Sequence, residues 1–137
     1  MKSPLSLLLV CFACTFGLGC VTDTDTDAER ALLSERGDAE ISLLSAPEAS
    51  LVRGENQLEL TVLDPGSQAR RTGLTIEATS FMPAMGHGGP DITPAREIEP
   101  GVYRFDRVTL PMAGLWEVRF SLQGEITDQL TIRAEIQ

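Results

Sequence analysis

"NQLELTVL", Asn56–Leu63, alternates strictly: Leu58, Leu60 and Val62 fall on one face, with Gln57, Glu59 and Thr61 on the other. A period of two is the signature of a half-buried strand; wound as a helix, the same residues would scatter their apolar side chains around the cylinder. The pattern continues in both directions along the chain. "ISLLSA" (Ile41–Ala46) reads as a strand before it. "GLTIEATS" (Gly73–Ser80) sets Leu74, Ile76 and Ala78 against Thr75, Glu77 and Thr79, and a short strand is expected around Ile92–Ile98. "LWEVRFSL" turns Trp116, Val118, Phe120 and Leu122 inward, and "DQLTIRAEI" does so with Leu130, Ile132, Ala134 and Ile136. In "VYRFDRVTL", Tyr103 and Phe105 share a parity that Val108 and Leu110 do not, which predicts a bulge at Asp106–Arg107.

Turn signals punctuate these runs: "DPGS" (Asp64–Ser67), "EPGV" (Glu99–Val102), "PMAG" (Pro111–Gly114) and "QGE" (Gln123–Glu125). Seven short alternating strands over residues 38–137 predict an all-β, immunoglobulin-like antiparallel β-sandwich. Trp116 is the expected anchor between its sheets. A domain of this size buries enough surface to fold without disulfides.

The N-terminal part has another character. Residues 1–19 open with Lys2 and continue through the apolar run "LSLLLVCFAC", too short and too near the start for a permanent membrane span. They read as an export signal. Cleavage after Gly19 would suit ordinary signal peptidase, whereas "GLGC" resembles a bacterial lipobox with Cys20 as the acylated first residue, although Leu18 stands two residues before the cysteine rather than three. Lipidation at Cys20 is the expected outcome, because acyl chains anchor by burying CH₂ groups and no other anchor follows. Val21 after the cysteine points to the outer membrane, with the domain facing the periplasm or the cell surface.

Residues 20–37 read as an acidic, Thr/Asp-rich tether. "TDTDTD" lacks the glycine turn of a calcium loop and suits a solvated linker. A capping box from Thr26 to Glu29, with Gly37 beyond, allows at most a short and marginal helix. The tether and the methionine-rich end of the sandwich are expected on opposite sides.

The chain has a formal net charge of −9, and export removes Lys2 but no acidic residue, leaving the remainder one unit more negative. Such a chain repels phosphate backbones, so a nucleic-acid partner is not expected. Cys11 and Cys14 leave with the signal, so no intrachain disulfide is expected after it. No residues form a nucleophile–base chain or a paired-carboxylate cleft, and the chain reads as a non-enzyme.

The chemistry concentrates in "SFMPAMGHGGPD", Ser80–Asp91. Strand order carries this loop and the "PMAG" turn to one end, which gathers Met82, Met85, His87 and Met112. Thioethers are soft, neutral ligands suited to Cu(I), and imidazole binds copper in either oxidation state. Zinc fits less well, since only His87 and Asp91 are of its kind here. The competing reading is packing: methionine fills irregular gaps, and the open end of a sandwich needs filling.

The segment "SFMPAMGHG…IEPGVYRFDRVTLPMAGLWEVRF", Ser80–Phe120, resembles the YtkA-like domain family, related to the FixH-type proteins, through Met82-Pro83-Ala84-Met85, Gly101-Val102-Tyr103 and Pro111–Trp116 in order. With "LVRGENQLELTVLD" before it, the resemblance spans most of Ile41–Ile136. It implies an immunoglobulin-like sandwich in a bacterial envelope protein, an association with copper handling or oxidase assembly, and metal-facing Met82, Met85, His87 and Met112. The loop is less methionine-dense than in many relatives. The alternative function is a non-metal interaction module that docks an envelope transporter or oxidase component.

Overall fold

Alternating apolar residues force each strand to cover one face, and the covered faces of two sheets meet here. The computed structural model describes residues 31–46 and 50–137. Its strands are β1 (Ala31–Leu33), β2 (Glu40–Ala46), β3 (Gly54–Leu63), β4 (Thr75–Met82), β5 (His87–Gly88), β6 (Arg96–Glu99), β7 (Val102–Leu110), β8 (Gly114–Gln123) and β9 (Thr127–Ile136). All pairings are antiparallel, in a five-stranded sheet ordered β1-β2-β3-β7-β6 and a four-stranded sheet ordered β5-β4-β8-β9. The immunoglobulin-like sandwich is therefore as expected, but the strand count among the described residues is nine, not seven.

The two additional strands have local causes. β1 lies where a tether with a marginal helix was expected. Leu32 pairs with Ile41 and packs against the core, so tertiary burial overrides weak helical propensity. The turn after β1 is clamped by Asp128, which accepts the Arg36 and Asp38 amides at 3.0 and 3.1 Å and the Ser34 hydroxyl. β1 thus lies within the stretch 20–37 that reads as a tether. The signal segment 1–19, the lipidation position Cys20 and the first part of the tether lie outside the described residues. β5 arises inside the Met/His loop.

The core follows the sequence pattern closely. Trp116, Tyr103, Phe105 and Phe120 are all essentially buried, and Phe105 meets Phe120 across the sheets with ring centroids 5.6 Å apart. The expected bulge in β7 is present: Asn56 pairs with Val108 and Leu58 with Phe105, so Asp106 and Arg107 together oppose Gln57 and both face solvent.

Let the end of β4 at Met82 be the upper rim. β7 ends and β8 begins there, which brings Pro111–Ala113 to the same rim. The turn 34–39, the loop 64–74 and the turn 100–101 form the lower rim. β1 runs downward beside β2, with Ala31 level with Ser42, so the described chain enters pointing away from the upper rim. Opposite placement of tether and methionines is therefore not imposed by the fold, because the β1–β2 hairpin reverses the direction that a chain starting at β2 would have.

Candidate functional site

Pro83 presets its φ for the second position of a tight turn, and the Met85 and Gly86 amides both donate to the Met82 carbonyl, at 3.1 and 3.0 Å. Gly86 closes the turn with a φ of +66°, a conformation that side chains disfavour. The chain then doubles back as β5, and Met82 pairs directly with His87. Directly opposed residues share a sheet face with Cβ atoms about 4.5–5.5 Å apart. The His87 Nδ1 lies 2.9 Å from the Gly88 carbonyl, which can only accept. In a neutral ring that contact puts the proton on Nδ1 and turns Nε2 into the nitrogen with a lone pair to offer a metal.

The four expected ligands divide into an inner and an outer pair. Met82 belongs to the core, 3% exposed, and its methyl would sit 3.2 Å from a Cβ placed on Gly114. Gly114 is two residues from Met112, at most about 7 Å of chain. Met112 is half-buried against the core, and its carbonyl accepts the Trp116 Nε1–H at 2.9 Å, which fixes the turn to the central tryptophan. Met85 is 61% exposed at the tip of the hairpin, and His87 is exposed beside it. Met82 therefore fills the rim of the core, while Met85 and His87 stand free in solvent.

Two polar devices steady this rim. Asn56, nearly buried, accepts the Val52 amide at 2.8 Å and donates to the Val52 and Val108 carbonyls. Arg53 Nε donates to the Pro111 carbonyl at 3.2 Å. Among the described residues no three His, Cys, Asp or Glu side chains gather closely enough to hold an ion, so a metal site here would be built of thioethers and one imidazole.

Sequence reasoning missed a surface depression of about 400 Å³ beside this hairpin, between β4 (Glu77–Ser80) and the strap Gly88–Pro94. The strap is stitched to β4 by Gly89 N to Ser80 O and Ala95 N to Ile76 O, both at 2.9 Å. Gly89 must be glycine for close approach: a Cβ there would collide with Ser80 Oγ and come within 3.1 Å of Trp116. Ser80 Oγ, buried under it, has no hydrogen-bond partner among the described residues. Only the run of glycines hinted at this contact. On the outer face of β8, Glu117 is shielded by Arg119 and Arg133, and their hydrogen bonds hold its carboxyl below the usual glutamate range. Arg119 also lies 4.8 Å over the Phe81 ring. The i, i+2 spacing of Glu117 and Arg119 was the readable sign of that pair.

Solved structures similar to this chain include a copper-bound variant of FetP from uropathogenic Escherichia coli strain F11, at 10% identity and TM-score 0.49, covering 79% of this chain and 94% of that one. The as-isolated FetP of the same strain, expressed in the periplasm, is 11% identical with TM-score 0.49, covering 77% and 91%. The C-terminal domain of ZirS is 16% identical with TM-score 0.44, covering 97% and 86%. Likeness of fold at such identities fixes no ligand. No curated protein matches the sequence. The YtkA-like profile matches residues 34–121, from the turn after β1 to the body of β8, which contains the hairpin, the glycine–tyrosine turn and the Pro111–Trp116 segment. This chain belongs to the YtkA-like family.

Proposed function

We propose that the chain is an exported, non-catalytic envelope protein, lipid-anchored through Cys20 and facing the periplasm or cell surface from the outer membrane, that binds Cu(I) at its upper rim and hands it on. The observation that carries this reading is the register of β4 with β5. It sets His87 opposite Met82, puts Met85 on the turn between them, and leaves Nε2 free while Nδ1 is held by the Gly88 carbonyl. Met112 stands two residues before Gly114, where an added Cβ would lie 3.2 Å from the Met82 methyl. Neutral thioethers with one imidazole match a soft monovalent ion, which the accessible Met85 and His87 would capture first, with Met112 and Met82 at the floor.

The test is anaerobic titration of the full chain with Cu(I) against a competing chelator. Met85→Ala with His87→Ala removes two exposed ligands without opening the core, and the expected result is at least about a tenfold loss of affinity. Equal competition by wild type and variant overturns the metal reading. The lipid anchor is tested separately: Cys20→Ser should abolish incorporation of labelled fatty acid.

A second reading is favoured by the exposure of Met85 at 61% and Leu115 at 41% on the same end of the molecule. Two apolar side chains held in solvent suit a docking tip for an envelope transporter or oxidase component. In that case a partner co-purifies with the Met85/His87 variant unchanged and is lost on Leu115→Asp.

A further inference from the structure

β9 is the outer strand of the four-stranded sheet and ten residues long. The Gln129 carbonyl points away from β8, since it accepts the Glu35 amide at 2.7 Å. Alternation then turns the main-chain groups of Thr131, Arg133 and Glu135 to the same open side. Among the described residues these three have no ladder partner there. A long unpaired edge is a template for another strand.

The side chains along this edge say which strand. "TIRAEIQ", Thr131–Gln137, reads polar, Ile, cation, Ala, anion, Ile, polar. Reversed, it shows the same chemistry with the charges exchanged, which is what an antiparallel strand needs in order to pair with itself. We propose that two copies of this chain associate edge to edge through β9, antiparallel, with the two-fold axis at Ala134. Arg133 of each copy then stands opposite Glu135 of the other on the outer face, and Ile132 opposite Ile136 on the inner face. Thr131 meets Gln137 at the ends. Each Arg133–Glu135 pair falls at a hydrogen-bonded position, so it exchanges two main-chain bonds as well as opposite charges. Glu135 is exposed and has no ion pair of its own among the described residues, and Arg133 is 70% exposed despite its bond to Glu117. Shifting the register by two residues in one direction sets Arg133 against Arg133, so charge selects this alignment. The contact is isologous and closes at two copies.

Sedimentation of the full chain across a concentration series tests this. Wild type is expected to show a monomer–dimer equilibrium. Glu135→Arg places two cations against two cations, and Arg133→Glu two anions against two anions; each is expected to weaken self-association by at least about tenfold. Mixing the two variants restores one cation opposite one anion at both positions and should restore a dimer that neither forms alone. Circular dichroism of each variant guards against misfolding. A wild type that stays monomeric, with the charged edge acting as a guard against pairing, overturns the proposal. So does a dimer that survives both single substitutions, or a mixture that fails to associate.

Discussion

At the lower rim three turns are tied by carboxylates and a phenol. Asp128 holds the 34–39 turn; Glu97 accepts the Gly73 and Gly101 amides, each at 2.9 Å; and Asp64 accepts those of Gly66 and Ser67. Tyr103, fully buried, donates to the Arg71 carbonyl at 2.8 Å and accepts the Leu74 amide at 3.0 Å. The upper rim has no such carboxylate among its described turns and closes by packing Met82 and Met112 against the core, with Trp116 bonded to the Met112 carbonyl and Asn56 fixing the strand start. Charged acceptors specify turn geometry and leave their own oxygens committed. Thioethers close a rim by contact alone and leave lone pairs uncommitted. A rim of the second kind can be stable and still offer ligands.

Substitutions can break or sharpen that contrast. The largest effect is expected at the upper rim, where Trp116→Ala removes the central filler and the bond that holds Met112; urea unfolding should report a loss of about 3–5 kcal/mol. At the lower rim, Asp128→Ala leaves the Arg36 and Asp38 amides without their acceptor, and should cost about 2–3 kcal/mol.

The same carboxylate makes the lower rim acid-sensitive. Burial raises the Asp128 pKa, but the Ser34 hydroxyl and the amides of Arg36, Gln129 and Asp38 outweigh it, so the folded value lies below the ordinary 3.8. Glu97 is lowered by the Gly101 and Gly73 amides, and Asp64 mainly by Ser67. Depressed folded pKa values mean that this stabilisation is complete above the unfolded values and is lost as pH falls through the folded ones. Below about pH 4, wild type should lose stability faster than Asp128→Asn, and amide exchange at Arg36 and Asp38 should rise before exchange at Trp116. Parallel acid curves for the two proteins would remove the distinction between the rims.

Smaller effects follow. Tyr103→Phe strips the Leu74 amide of its acceptor and should cost about 1–2 kcal/mol. Met85→Ala and His87→Ala touch exposed groups and should change stability by no more than about 0.5 kcal/mol while altering Cu(I) competition. A large stability loss there would mean that the outer pair is structural after all.

Much of the framework was readable because alternation and burial are the same fact seen twice. The inward residues of β3, β4, β7 and β8 are those that the period of two selects, and the parity slip at Asp106–Arg107 located the bulge. β1 was not readable, since Ala31–Leu33 owes its conformation to Ile41 and to an aspartate far along the chain. β5 was hidden for a similar reason: two residues in a glycine-rich loop become a strand only because β4 lies beside them. Of the four proposed ligands, the sequence pointed to their common rim but not to the division between buried Met82, half-buried Met112 and exposed Met85 and His87.

By itself, the sequence determined the strand faces, the turns and the sandwich class, because these follow from nearest-neighbour spacing and from residues whose backbone freedom is restricted. It also determined the self-complementary pattern of Thr131–Gln137. Only the tertiary structure decided which elements share a rim, which carboxylates are enclosed, which imidazole nitrogen meets the Gly88 carbonyl, and which edge of β9 stays open among the described residues. Those properties depend on side chains and main-chain groups brought together from distant positions, and solvent is excluded or admitted only once both sheets have closed.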